Sequence, residues 1–187
     1  GIAVDLPKDG SLAPAYGALI YNEEEVRYVE SIDFEEHKGW IIIGIIFAVA
    51  PGGSLAGRVS KLSLGSEEIK RFGMNLANAV HELHGYGYEH RDLHAGNVLV
   101  LSDGRREIAD PYGVWLADFG LSRKVSDPTI SEDWYFFGRV LQNMAYSNSM
   151  PFNRDLHDLL YNAEKGLISS DGKRYTEEEI LSHPYFA

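Results

Sequence analysis

The chain contains no cysteine, which excludes disulfide bonds and thiolate metal sites. Positive charge is also scarce: 17 basic residues stand against 28 acidic ones, giving a formal net charge of −11, and no run of Lys or Arg occurs. This balance argues against nucleic acid or an anionic membrane as a partner, because phosphates are bound by clustered cations. The longest apolar stretch, residues 40–51, is too short to cross a bilayer. These absences favour a soluble globular protein.

Apolar sequence is plentiful enough for a sizeable core. The 187 residues, 44% of them apolar, suffice for one domain or a small two-lobed one. The first part of the chain predicts a strand at residues 2–6, closed by a Pro-Lys-Asp-Gly turn, and a helix at about 12–31, where Ala, Glu and Tyr are frequent. The Ile-rich run at 40–50 predicts a buried strand or a tight strand pair.

The rest of the chain predicts mainly helices. Residues 66–84 give the clearest one: Ser66 is a capping residue, acidic residues follow it, and apolar residues recur at spacings of three and four, namely Ile69, Phe72, Leu76, Val80 and Leu83. Further helices are predicted at 132–146, 153–164 and 176–182, with short strands at 98–101 and 114–117. His81 and His84 do not match the spacing of a metalloprotease helix and are predicted to lie on the surface. Strands first and helices later favour an α+β domain of two unequal lobes.

Two short strings of residues carry side chains that could accept a proton or bind a metal ion. Residues 90–97 read His-Arg-Asp-Leu-His-Ala-Gly-Asn, and residues 118–120 read Asp-Phe-Gly directly after an apolar run. Asp92 is placed to take a proton from a hydroxyl group, while Asn97 and Asp118 are oxygen ligands suited to Mg²⁺ on a triphosphate. Either string alone is a weak signal. Both in this order, each beside a strand-like run, strongly indicate phosphoryl transfer.

The two strings resemble the catalytic loop and the metal-binding turn of the protein kinase superfamily, and the resemblance extends along most of the chain. Residues 47–55 are similar to the kinase hinge, the Asp-Trp pair at 133–134 to the start of the helix below the active site, and residues 183–186 to the end of the last kinase helix. The resemblance implies a kinase-like two-lobed α+β fold. Its reduced N-lobe would comprise residues 1–50, and its helical C-lobe residues 51–187, with the catalytic loop at 90–97 and the metal turn at 118–120.

The resemblance also implies a role for individual residues. Asp92, Asn97 and Asp118 would be the catalytic set, with Asn97 and Asp118 as the Mg²⁺ ligands. ATP would be held by residues around its adenine: Phe47 as gatekeeper, the hinge residues Ala48, Val49 and Ala50, and Ala3 and Leu99 on the two faces of the ring. His90 and Phe119 would stack in the core, and Asp133 would bond the backbone of the catalytic loop.

Four departures from the kinase pattern bear on activity. Residues 2–5 align with the strand that carries the phosphate-binding Lys, and Asp5 stands in its place. No Gly-rich loop precedes that strand, and only 15 positions separate Asp118 from Asp133, which leaves no room for an activation and docking segment. Neither His94 nor Gly96 supplies the phosphate-contacting cation found at these places in many kinases. In architecture the chain is similar to reduced kinase folds such as those of bacterial effectors, so both a cytoplasmic location and secretion into a host cell remain open.

Three functions therefore stay open. The first is ATP-dependent phosphotransfer to a protein hydroxyl, with Ser/Thr favoured over Tyr. The second is a pseudokinase that binds a docking partner, which Asp5 and the missing segments favour. The third is a small-molecule kinase of the aminoglycoside or choline type, whose loop is also similar to residues 90–97. The expected partners are ATP with Mg²⁺ and a protein substrate or docking partner, not nucleic acid or a membrane.

Overall fold

The structure is a computed structural model that describes residues 10–30, 32, 33, 35–61, 64–102, 112–126, 131–169 and 173–187. The predicted strand at 2–6 lies outside the described residues, and with it Ala3 and Asp5. The strands are β1 (Ala15–Tyr21), β2 (Val26–Val29), β3 (Ile41–Phe47), β4 (Tyr88–Glu89), β5 (Val98–Val100), β6 (Val114–Leu116) and β7 (Arg123–Lys124). The helices are α1 (Leu55–Lys61), α2 (Ser66–Gly85), α3 (Asp133–Ser147), α4 (Arg154–Tyr161) and α5 (Glu177–Leu181). Strands dominate the first third and helices the remainder, which confirms the α+β fold class.

The prediction of a helix at 12–31 is wrong, because this segment forms the antiparallel hairpin β1–β2. The Asn22 side chain caps the turn by accepting hydrogen bonds from the backbone N–H groups of Glu24 and Glu25, at 3.0 and 2.9 Å. Ala18 and Ile20 point inward and are buried. Strand pairing with buried inward side chains and an Asn-led turn thus override the helix propensity of Ala and Glu.

The strand predicted at 40–50 exists as β3, but the prediction that it is buried is wrong. In the described residues the sheet has the order β2-β1-β3, so β3 has one strand neighbour and lies at an edge. Ile41 is 61% exposed and Ile43 is 54% exposed, on a strand with no charged residue. A continuous apolar run is typical of a strand covered on both faces. Here both faces are open in the part of the chain that the structure describes.

Helix α2 lies at the centre of the core, and its burial pattern confirms the predicted apolar face. The five residues of that face are fully buried: Ile69, Phe72, Leu76, Val80 and Leu83. They pack against β6, α3 and α5. The N-cap lies one residue earlier than predicted: it is Gly65, whose N–H donates to the Glu68 carboxylate at 3.0 Å, and Ser66 is the first residue of the helix. Among the helices of the described residues, none combines the length and apolar character that a membrane crossing requires.

Candidate active site

The short hairpin formed by β5 and β6 sets the position of two predicted ligands. Val98 pairs with Leu116 and Val100 with Val114, and all four side chains are buried. Beyond the last pair, the backbone N–H of Ala117 donates to the carbonyl of Asn97 at 2.9 Å. Asn97 therefore lies opposite the residue that precedes Asp118. Two polar residues separated by 21 positions in the sequence come together at one end of the hairpin.

Asp92 is held directly by Asn97. The Asn97 side-chain Nδ2 donates to the Asp92 backbone carbonyl at 2.9 Å and to the Asp92 carboxylate Oδ2 at 3.2 Å. Leu93, next in the chain, is buried and anchors the loop in the core. The Asp92 carboxylate itself is partly open to solvent, with His94 Nε2 3.8 Å from its Oδ2. The structure thus brings the candidate base and one candidate metal ligand into direct contact.

Asp118 follows β6 in a left-handed backbone conformation, with φ of 63°. Its side chain is exposed, and Oδ1 accepts from the Gly120 N–H at 3.4 Å. The next residue, Phe119, turns inward and is buried against the His90 ring, with ring centroids 5.5 Å apart. This contact confirms the predicted pairing of His90 with Phe119. The buried ring fixes the turn, and the exposed Asp118 follows β6 at the end of the hairpin where Asn97 lies.

His90 acts as a core residue that fixes the loop. Burial lowers the pKa of its imidazole, although Ala117 and nearby carboxylates oppose the shift. The neutral ring is suited to its contacts, because Nε2–H donates to the Ala117 carbonyl at 2.9 Å and Nδ1 accepts from the Asp92 N–H at 3.3 Å. His90 therefore ties the loop that carries Asp92 to the strand that leads to Asp118.

Asp133, the first residue of α3, confirms its predicted contact with the catalytic loop. Its buried carboxylate accepts from the His90 N–H at 2.7 Å and from the Arg91 N–H at 2.9 Å. Arg91 has a φ of 67°, a conformation that costs free energy for a side chain of this size and that these bonds hold in place. Burial alone would raise the pKa of Asp133, but hydrogen bonds from His84, His90 and Arg91 outweigh it and lower that pKa.

The prediction that His84 is a surface residue is wrong. The side chain is buried, and its ring nitrogens contact Asp133 and Glu177 of α5. The sequence held a signal for this burial, because His84 follows Val80 by four positions on the apolar face of α2. Its partner Glu177, 93 positions further along the chain, was not identified from the sequence.

One of the predicted adenine-binding residues, Leu99, lies on the same hairpin, next to the segment that follows β3. The segment after β3 pairs with β5: the Gly52 N–H donates to the Val100 carbonyl at 2.9 Å, and the Val100 N–H donates to Gly53 at 2.8 Å. A Cβ at Gly52 would lie 2.6 Å from the Val100 carbonyl oxygen, so this close approach requires glycine. Leu99 is half-buried and bridges to Ser54. The pairing therefore places Leu99 next to the hinge.

The residues predicted to form the hinge differ in exposure and in the backbone groups that they leave for a ligand. Phe47 is 37% exposed and Val49 is 84% exposed, while Ala48 and Ala50 are half-buried. The Ala48 N–H already donates to the Pro14 carbonyl at 3.0 Å, and the Ala50 carbonyl accepts from Gly53 at 3.1 Å. A ligand at this edge would therefore use the remaining backbone groups. Ala3, predicted to cover the other face of adenine, lies outside the described residues.

The donor set at the end of the hairpin suits magnesium better than a transition metal. Asn97 and Asp118 offer oxygen atoms, and Mg²⁺ is commonly held by one or two protein oxygens together with substrate phosphates. Because Asn97 Nδ2 donates to Asp92, the amide Oδ1 is the atom left for a metal. Within the described residues, no group of three His, Cys, Asp or Glu side chains is arranged to hold a metal ion. The residues present therefore fit an ion bound jointly with a phosphate ligand.

Comparisons with known proteins agree with this arrangement. Residues 26–152, more than half of the chain, match the protein kinase domain. The mouse ribosomal protein S6 kinase alpha-2 is 31% identical over 185 aligned residues, covering 72% of this chain and 24% of that protein. The rat serine/threonine-protein kinase PAK 5 is 24% identical over 184 residues, covering 78% of this chain and 25% of that protein. Cyclin-dependent kinase F-3 of Oryza sativa subsp. japonica is 35% identical over 96 residues, covering 48% of this chain and 20% of that protein.

This chain spans a quarter or less of the length of each of these three relatives. The matched region begins at β2 and ends beyond α3, so it includes the predicted hinge, the loop at 90–97 and the turn at 118–120. It thus contains Asp92, Asn97 and Asp118 together with the β5–β6 hairpin and Asp133. The chain belongs to the protein kinase family.

Proposed function

We propose that this chain binds ATP with Mg²⁺ and transfers the γ-phosphoryl group to a hydroxyl of a protein, with Ser or Thr as the acceptor. The observation that carries the proposal is the contact between Asn97 and Asp92 at 3.2 Å, next to the hairpin end that presents Asp118. Ser/Thr is favoured over Tyr because a relative such as PAK 5 is a serine/threonine-protein kinase. The protein kinase match makes a small-molecule acceptor the less supported alternative.

Asp92 would accept the proton of the attacking hydroxyl or orient that hydroxyl. Its carboxylate is partly solvent-exposed, and the Asn97 amide and the His90 ring fix the backbone on which it sits. A positioned base of this kind typically contributes about 10²–10⁴-fold to a rate. The fixed loop supports this role because proton transfer requires the carboxylate within hydrogen-bond reach of the hydroxyl.

Asn97 and Asp118 would hold Mg²⁺ against the phosphates of ATP. The bound ion supplies charge neutralisation on the transferring phosphoryl group. The chain's own contribution is geometric: the buried β5–β6 pairing sets the spacing of the two ligands, and the Phe119 contact orients Asp118. Leu99 and the hinge residues 47–50 would line the adenine site beside that hairpin.

A second function, nucleotide or partner binding without transfer, is favoured by one sequence observation. Asp5 aligns with the phosphate-binding Lys of the kinase pattern, and a carboxylate there would repel a phosphate. In the described part of the chain, neither Asp92 nor Asp118 forms an ion pair with Lys or Arg; the nearest basic group to Asp92 is His94, at 3.8 Å. Loss of one electrostatic donor costs about 10²–10³-fold in rate. A measured rate of transfer is therefore needed to distinguish a slow kinase from a pseudokinase.

Transfer of radiolabel from [γ-³²P]ATP to a generic protein substrate tests the proposal. We expect label in the substrate with the parent chain, and a loss of about 100-fold or more with Asp92→Ala, because the proton acceptor is gone. Asp155→Ala is the matched control, since Asp155 is an exposed residue of α4 outside the site. No label above background with the parent chain would contradict transfer, and equal labelling by Asp92→Ala would contradict the role of Asp92.

A further inference from the structure

A buried histidine links the C-terminal helix to the catalytic loop. His84 is 4% exposed and lies between two carboxylates: its Nε2 is 3.1 Å from Asp133 Oδ2, and its Nδ1 is 2.8 Å from Glu177 Oε2. The His84 ring also makes a T-shaped contact with Trp134, with centroids 5.6 Å apart. Glu177 is the first residue of α5, and its second oxygen contacts Nδ1 of the half-exposed His81. Three helices thus meet at one imidazole.

Only the protonated ring satisfies both carboxylates. A neutral imidazole carries one N–H, so its other nitrogen would turn a lone pair toward an anionic oxygen, whereas the imidazolium donates from both nitrogens. Burial lowers the pKa of His84, but hydrogen bonds and the charges of Asp133 and Glu177 outweigh burial and raise that pKa to about 8. In the described residues, the charged groups that face His84 are Asp133 from α3 and Glu177 from α5, with His81 of its own helix on the far side of Glu177.

The same Asp133 carboxylate that contacts His84 holds the catalytic loop. Asp133 Oδ2 accepts from both His84 and the His90 N–H, and Oδ1 accepts from the Arg91 N–H. His90 in turn bonds the Asp92 backbone. A continuous series of hydrogen bonds therefore runs from Glu177 through His84 and Asp133 to the loop that carries Asp92.

We propose that Glu177 and His84 are positioning residues of the catalytic loop, through which the C-terminal helix α5 holds Asp133 and the backbone at 90–91 in place in a pH-dependent manner. Loss of the His84 proton removes one of the two donated hydrogen bonds and leaves a buried carboxylate without its counter-charge. Asp133 then loses a fixed partner, and the hydrogen bonds from the loop N–H groups to Asp133 break more often. The proposal deepens the proposed function, since it concerns the loop of the candidate base, but the coupling itself requires no activity.

Glu177→Gln is the test variant, because it keeps the size of the side chain and removes its charge. Glu178→Gln is the matched control: Glu178 is the next residue of α5 and is exposed. NMR titration of the His84 ring should give a pKa of about 8 in the parent chain and the control. In Glu177→Gln it should fall by about one unit or more, since one of the two anionic partners is lost. An unchanged His84 pKa in Glu177→Gln would overturn the role of Glu177.

Amide hydrogen exchange provides the second readout, at His90 and Arg91. After correction for the intrinsic exchange rate, we expect the protection of these two amides to be constant below pH 7 and to fall several-fold as pH rises through about 8. In Glu177→Gln the fall should begin at a lower pH, and in Glu178→Gln at the same pH as in the parent. Protection that does not depend on pH in the parent chain would overturn the proposal, even if Glu177→Gln fails to fold.

The two proposals fail in distinguishable ways. If the parent chain transfers no phosphate but protection at residues 90–91 follows the His84 titration, the coupling stands and the phosphotransfer function falls. If the chain transfers phosphate with a rate independent of pH between 7 and 9, and protection at 90–91 does not respond to Glu177→Gln, the coupling falls and the function stands.

Discussion

Asp133→Asn is the substitution that should disturb the fold and the site together. The Asp133 carboxylate is buried and accepts three hydrogen bonds, from His84 Nε2 and from the backbone N–H groups of His90 and Arg91. An Asn side chain has nearly the same shape, but it carries one acceptor oxygen and one donor group. Its NH₂ must therefore face at least one of these donors.

The magnitude follows from the bonds that are lost. A hydrogen bond to a charged group contributes about 1.5–3 kcal/mol net. Removing the charge also leaves the buried His84 imidazolium beside one carboxylate instead of two, and breaking a buried charge pair costs about 3–5 kcal/mol. We therefore expect Asp133→Asn to lower the free energy of unfolding by about 3–5 kcal/mol, a large part of the roughly 5–15 kcal/mol typical of a domain.

Urea denaturation at pH 7, followed by tryptophan fluorescence, measures this loss, and Trp134 reports on the region directly because it adjoins Asp133. Glu132→Gln is the control, since Glu132 is exposed and its side chain makes no capping bond. We expect the control to stay within about 0.5 kcal/mol of the parent. A loss below about 1 kcal/mol for Asp133→Asn would refute the argument that this carboxylate anchors the loop.

Three further predictions concern stability and association. The pKa of His84 is raised from 6.5 to about 8 in the folded chain, so the stability that this shift contributes is complete below pH 6.5 and is lost as pH rises through 8. The free energy of unfolding should therefore fall by about 1 kcal/mol from pH 7 to pH 9. A free energy of unfolding that stays constant over this range would contradict the prediction. Gly138→Ala should lower the free energy of unfolding in urea by about 1–3 kcal/mol, because the new Cβ would lie 2.8 Å from Leu167 Cβ. Gly85→Ala is the control and should not destabilise the chain, because no atom lies within 4 Å of the new Cβ. Within the described residues, β3 is an apolar edge strand with exposed isoleucines, so we expect light scattering to rise with the concentration of the parent chain and Ile43→Lys to reduce that rise. Equal scattering by the parent and the variant would contradict this role of β3.

The features that could be read from the sequence are those with a local signature. The apolar spacing from Ile69 to Leu83 predicted α2 and its buried face, because helix periodicity depends on neighbours three and four residues away. The strings at 90–97 and 118–120 located the candidate site, and the Asp133 contact with the loop was predicted from the kinase resemblance.

The features that the sequence did not reveal depend on contacts between distant segments. The hairpin β1–β2 replaced a predicted helix because β1 pairs with β3 as well as with β2, and β3 is distant in the sequence. The exposure of β3 depends on which strands lie beside it, which an Ile-rich run does not specify. The contact of His84 with Glu177 joins residues 93 positions apart, so no local pattern contains it.

Calorimetric titration of the chain with ATP, with and without Mg²⁺, tests the claim that Asn97 and Asp118 form a metal-dependent nucleotide site. We predict that ATP binding requires Mg²⁺ and weakens about tenfold or more in Asp118→Asn, because that variant loses an anionic ligand of the metal. Asp155→Asn should bind as the parent chain does. Absence of binding in the parent chain, or equal affinity with and without Mg²⁺ and in Asp118→Asn, would contradict the claim.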